Sequence, residues 1–133
     1  MLPLRYARRW QIAGISVLVL VFAAALVPAL WFLHDVPGSS LISTDKLLHM
    51  LTFVFLTVWF CGQYRRRSYW RVALAMLMFG LLIEACQMLL TWRSAEAGDL
   101  IADAVGIVLG LLLAWAGAGG WSLRVEQWAE ARR

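Results

Sequence analysis

Four apolar runs, each about as long as a bilayer crossing, alternate with short polar clusters along this chain. Residues 11–33 carry no charge, and roughly 20 apolar residues let a helix cross the hydrocarbon core. Residues 45–64, 72–92 and 99–118 repeat the pattern with few charges. Pro37, Gly38 and neighbouring serines mark a turn-rich loop between the first two runs, with Ser43 and Thr44 as N-caps for the second helix. A tight polar connection from Arg93 to Gly98 separates the third run from the fourth. The tail interleaves Trp121, Leu123, Val125 and Trp128 with arginine and glutamate, the pattern of an amphipathic segment lying along the membrane interface. The first run exceeds the apolar region of a signal peptide, about 7–15 residues, although Ala23, Ala24 and Ala25 imitate a cleavage site. The expected fold is an all-α integral membrane bundle of four transmembrane helices, a single domain over residues 1–133.

Composition strengthens that expectation. Hydrophobic residues make up 62% and charged residues only 15%, against about 25% charged in soluble domains. Four spans use almost the whole length and leave no room for a separate soluble catalytic domain. The net charge of +4 is explained by position. With a cytoplasmic N-terminus, Arg5, Arg8, Arg9, Arg65, Arg66, Arg67, Arg71, Arg124, Arg132 and Arg133 fall on that side, and Lys46 and Arg93 on the other. Such asymmetry orients multi-span proteins, puts both termini in the cytoplasm and makes a nucleic-acid partner unnecessary. Trp10, Trp59, Trp70 and Trp115 fall near the inner boundary, Trp31 and Trp92 near the outer one, as aromatic belts do. Cys61 and Cys86 lie in apolar runs without metal-type spacing and read as buried thiols.

The unusual residues all belong to the extracytoplasmic half. Asp45, Lys46 and His49 open the second span, Glu84 and Gln87 lie in the outer half of the third, Arg93 and Glu96 are in its loop, and Asp99 and Asp103 open the fourth. Asp45 and His49 are spaced i, i+4, Glu84 and Gln87 i, i+3, and Asp99, Asp103, Gly106 and Gly110 run along one stripe. At about 1.5 Å rise per residue, Glu84 sits roughly 12 Å below the exit of its helix, and His49 and Asp103 roughly 6 Å below the starts of theirs. A mid-membrane carboxylate costs about 2.5–3.5 kcal/mol on insertion scales, so the polar faces should turn toward one another or toward a small aqueous pocket. The Gly-x-x-x-Gly spacing of Gly106 and Gly110 favours close helix approach and a central fourth helix. Blander roles exist for several of these residues: Asp45 and Asp99 suit the positive end of a helix dipole, Arg93 can mark a boundary, Glu96 can be a solvated loop charge, and His49 can be a packing residue. Glu84 and Asp103 fit such roles least, because serine or glycine makes a helix contact without the desolvation cost.

Together these residues resemble the VanZ-like family of bacterial membrane proteins. The resemblance is carried by "DKLLHM" at 45–50, similar to Asp-Lys-x-x-His, and by "EACQ" at 84–87, similar to Glu-x-x-Gln. Arg93, Asp99 six residues later, Gly106 and Gly110 complete it over roughly residues 40–115. Asp103 stands where the family's pattern leads us to expect asparagine, adding a charge, and Met50 replaces the usual aromatic after the histidine. The resemblance implies a small multi-span protein with a cell-envelope role in the cytoplasmic membrane of a bacterium. The family's founding member is associated with teicoplanin resistance, which implies a glycopeptide connection but no established chemistry.

The leading functional expectation is recognition of an envelope lipid or lipid-linked wall precursor by a zwitterionic pocket of Asp45, Lys46, His49, Glu84, Gln87, Arg93, Asp99 and Asp103. Arg93 and Lys46 would hold an anionic head, and Gln87 and the acids would contact hydroxyls or amides. This reading carries no cofactor and no resident metal, and it allows a homo-oligomer. An alternative from a different class is an intramembrane enzyme, with Glu84, His49 and Asp103 as candidate catalytic groups for acid–base work, or with Asp99 joining them around a divalent ion. No HExxH motif supports it, and Ser94 and Cys86 are isolated nucleophiles, so the sequence leans away from catalysis. Proton-coupled transport ranks third, since neither inverted repeats nor broken helices are visible.

Overall fold

A computed structural model describes residues 1–26, 44–90 and 97–132. Among these residues every regular element is helical: α1 (Ala7–Leu26), α2 (Thr44–Cys61), a 3-10 turn (Arg66–Ser68), α3 (Tyr69–Gln87), α4 (Ala97–Leu113) and α5 (Trp121–Ala131). Three helical stretches are long and apolar enough to cross a membrane: Ala7–Leu26, Arg66–Gln87 and the run Ala97–Ala131. The apolar part of α2, Lys46–Cys61, is shorter. Pro28, the loop at 34–43 and the connection 91–96 lie outside the described residues.

The bundle is inside-out relative to a soluble protein. Ile15, Val19 and Leu20 of α1, Leu51 and Phe55 of α2, Leu74 and Met78 of α3, and Ile101, Val105, Val108 and Leu112 of α4 all face outward. The buried faces carry the small and polar residues instead, including Thr57, Glu84, Gln87, Asp99 and Asp103, with Gly80, Gly106 and Gly110. In hydrocarbon an outward leucine loses nothing, and association depends on close packing and internal hydrogen bonds. The closest packing is between α2 and α4. A Cβ built on Gly106 would collide with the carbonyl oxygen of Met50 and lie 3.0 Å from Phe53 Cβ, and one on Gly110 would lie 2.6 Å from Thr57 Cβ. The glycine stripe is thus the seam of the α2–α4 pair. α3 packs against both members, and Val17, Leu18, Val21 and Phe22 of α1 close the core around Phe53, Val72, Met76 and Ile83.

The end of the bundle where α1 starts and α2 finishes is tied by the chain's two extremities. Helix termini leave carbonyls without intrahelical partners. At the end of α2, Cys61 O accepts from Gly120 N, Gly62 O from Ser122 Oγ and Gln63 O from Leu2 N. At the other polarity, Glu126 caps the start of α1 from across the fold, accepting from Arg5 N at 2.8 Å, Tyr6 N at 3.0 Å and Trp10 Nε1 at 2.8 Å. Trp10, Trp59 and Trp121 meet there edge-on with centroids 5.1–6.3 Å apart, so these tryptophans form one cluster. The tail is helical, but α5 docks through its polar Ser122 and Glu126 and leaves Val125 and Trp128 exposed. The turn into α5 uses Gly117 and Gly120, both at positive φ, a conformation that costs glycine little. Cys61 is buried as expected, whereas Cys86 is only partly covered.

Burial works against the Glu126 carboxylate, but the N–H groups of Tyr6 and Arg5 and the Trp10 indole outweigh it and hold its pKa below the ordinary 4.5. A lowered carboxyl pKa stabilises the fold fully above the unfolded value, and the contribution is lost as pH falls through the folded one. Wild type should therefore lose thermal stability in detergent as pH drops below about 4.5, while Glu126→Gln should show a flatter profile over that window. Glu126→Ala, which strands three donors, should cost about 2–3 kcal/mol at neutral pH, and an unchanged melting profile would contradict the capping role.

Candidate functional site

The polar cluster forms at the opposite end, where α2 and α4 begin and α3 finishes. Helical spacing puts His49 one turn inside α2, with Asp99 and Asp103 on the buried stripe of α4 and Glu84 and Gln87 on the buried face of α3. Three helices therefore converge their polar faces on one point. His49 Nδ1 lies 2.9 Å from Asp103 Oδ1, and the Asp103 side chain is completely buried. A nitrogen of His49 and carboxylate oxygens of Glu84 and Asp99 all lie within 4.8 Å of one another. Glu84 is 8% exposed, Asp99 3% and Gln87 0%, so water reaches this end only sparingly.

Local packing explains why the groups stay together. Gly80, one turn before Glu84, leaves room for Asp103: a Cβ there would come within 2.8 Å of Asp103 Oδ2. The seam at Gly106 brings α2 close enough for His49 to reach α4. Gln87 Nε2 donates to Ala25 O at 2.9 Å, attaching α3 to the far end of α1. The stem of Lys46 lies against Gly98, which carries its ammonium to the start of α4. Among the described residues, Asp103 Oδ2 and Gln87 Oε1 are buried without a hydrogen-bond partner. Buried acceptors of this kind are normally satisfied by water, ion or ligand.

Of the eight residues expected to form the pocket, His49, Glu84, Asp99 and Asp103 come together directly, Lys46 lies against Gly98 at the start of α4, and Gln87 stands one turn beyond Glu84 with its amide on α1. Arg93 and the loop residue Glu96 lie outside the described residues, as does the side chain of Asp45. Sequence reasoning missed Glu126, because an acid in a charged amphipathic tail looks solvated, and its partners are backbone N–H groups about 120 residues away. It also missed Thr57, fully buried in the seam, whose hydroxyl resembles any span residue in sequence. A cleft of about 310 Å³ lies far from the cluster, between α1 and α5, lined by Tyr6, Trp10, Val125 and Ala129 among others. Its exposed wall is almost entirely apolar, although Arg9, Glu126 and Glu130 also line it.

A sequence profile of the family described as VanZ/LLP1 matches residues 6–118, which covers every helix up to α5. An uncharacterised protein of the fission yeast Schizosaccharomyces pombe is 31% identical over 119 residues, spanning 85% of this chain and 69% of its own length. No solved structure matches the chain.

Proposed function

The chain belongs to the VanZ/LLP1 family, and from that premise we propose that it binds the phosphate-bearing head of an envelope lipid, or of a lipid-linked wall precursor, in the polar cluster. The supporting observation is the buried convergence of His49, Glu84, Asp99 and Asp103 inside an otherwise apolar bundle. Four ionisable groups from three helices are an expensive way to hold helices that glycine packing already joins, and function is the usual reason for such groups. Lys46, against Gly98, supplies charge for an anionic head, a role the sequence also gives to Arg93, while Gln87 Oε1 and Asp103 Oδ2 accept from hydroxyls or amides. The acyl or prenyl chain stays in the bilayer along the outward leucines.

In this reading the chain makes four crossings of the cytoplasmic membrane of a bacterium. The arginine-rich end and both termini face the cytoplasm, and the cluster faces outward. Arg66 on Trp115 O, and Arg124 on Gly117 O and Gly119 O, fit that end, because cations are favoured at helix C-termini. A fungal relative makes a phosphate headgroup common to bacteria and fungi the economical ligand. In a bacterium, holding a wall precursor would also mask a glycopeptide target, which would give the family its resistance connection.

Titrating detergent-solubilised protein with short-chain phosphatidylglycerol tests the anion site. Each charge-assisted hydrogen bond is worth about 1.5–3 kcal/mol, so Lys46→Gln and Arg93→Gln should each weaken binding about tenfold or more. Equal affinity in wild type and both variants would remove phosphate recognition from the account.

A further inference from the structure

The cluster that should receive an anion holds three carboxylates, Glu84, Asp99 and Asp103, around one imidazole. An anionic head approaching three carboxylates at low dielectric is repelled unless positive charge sits among them. Lys46, against Gly98, is a single cation for three carboxylates, and the potential ligand atoms are one imidazole nitrogen and carboxylate oxygens. That donor set suits a first-row divalent cation.

We propose that His49, Glu84 and Asp99 bind one such cation, Zn2+ or Mn2+, with Asp103 holding the histidine in its ligating orientation. Ligand atoms sharing an ion at about 2.0–2.2 Å lie roughly 3–4 Å apart. Atoms already within 4.8 Å of one another are close to that spacing. His49 Nδ1 lies 2.9 Å from Asp103 Oδ1; in the proposed site Nδ1–H donates to that carboxylate and Nε2 is the ligating nitrogen, the usual carboxylate–histidine–metal arrangement. A separate observation points the same way: the Asp103 carboxylate, fully buried and turned into the cluster at His49, has Oδ2 without a hydrogen-bond partner among the described residues. A carboxylate at position 103, unlike a neutral amide, makes His49 a stronger donor to metal. With three protein ligands the ion keeps open positions, and a headgroup phosphate oxygen fills one of them. That bridging role rests on the headgroup reading, whereas the ion site itself stands independently of it.

The test uses full-length protein in detergent, stripped with chelator and given Zn2+ or Mn2+ alone, with bound metal counted by elemental mass spectrometry. One ion per chain is expected in wild type and in the distant control Glu130→Gln. His49→Ala, Glu84→Gln and Asp99→Asn should each weaken binding at least a hundredfold, and Asp103→Asn about 10–100-fold, as outer-shell partners do. Should the variants fail to fold, pulsed electron paramagnetic resonance of Mn2+ on wild type decides alone. The chain has two histidines, so a single imidazole nitrogen coupling that survives His34→Ala identifies His49. Absence of a stoichiometric ion, or of nitrogen coupling, overturns the site. Lipid content measured on the same samples separates the two ideas: lipid held by ion-free protein removes the bridge and spares the headgroup reading. An ion held by protein that retains no lipid spares the ion site and removes the headgroup reading, and the bridge with it.

Discussion

Gly106→Leu is expected to abolish the folded bundle rather than merely loosen it. A single Cβ at this position already collides with the Met50 carbonyl oxygen, and leucine would add three further carbons where α2 backbone stands. A backbone atom cannot rotate aside as a side chain can, so the helices would have to separate by several ångströms. Lipid offers no hydrophobic compensation for lost helix contact, because tails solvate leucine as well as the partner helix does. Overpacking in a soluble core costs about 1–3 kcal/mol, and here the whole α2–α4 seam opens, taking with it the 2.9 Å contact between His49 and Asp103. Size-exclusion chromatography in mild detergent should show aggregated or absent protein. Ile107→Val, one residue along and buried, should cost only about 1 kcal/mol. A monodisperse Gly106→Leu protein with wild-type melting behaviour would mean that the seam is not where the helices meet.

The second large effect separates a functional cluster from a structural one. Asp103→Val leaves His49 facing an apolar wall and should lower stability by about 3 kcal/mol, the cost of stranding one member of a buried pair. Adding His49→Leu removes the stranded partner. Replacing both members of such a pair is often neutral or stabilising, so the double variant should recover to within about 1 kcal/mol of wild type. Lipid retention, by contrast, should be lost in both single variants and stay lost in the double. Restored stability without restored binding is the signature of groups kept for what they bind. If the double variant were as unstable as the sum of its parts, with binding intact, the pair would be cement for the bundle.

Much of this arrangement was legible in the sequence because a bilayer simplifies the code. Charge is so costly in hydrocarbon that Glu84 and Asp103 signalled a buried meeting point before any coordinate, and the i, i+4 and i, i+3 spacings assigned each residue to a face. The glycine stripe likewise foretold a close approach to a neighbouring helix, though not that α2 would be that neighbour, since Gly106 and Gly110 would otherwise be wasted in a helix. What escaped was long-range and carried by backbone. Neither the capping of α1 by Glu126 nor the binding of Gly62 O by Ser122 leaves a trace in periodicity, because any short polar side chain in the tail could have faced either way. The three-tryptophan cluster was hidden for a related reason: Trp10, Trp59 and Trp121 each satisfy the interfacial preference alone, and only the fold shows that they meet. The beginning of α3 also eluded the pattern, since the arginine-rich segment reads as a loop although Tyr69, buried at 2% exposure, already starts the helix.

Native mass spectrometry of protein extracted gently from its own membrane tests the central claim most directly. Wild type and Glu130→Gln should carry a phosphate-bearing lipid in about one copy per chain, and a Glu84→Gln, Arg93→Gln double variant of equal thermal stability should have lost it. The same lipid at the same occupancy in all three proteins, or none in wild type, would contradict headgroup recognition by the cluster.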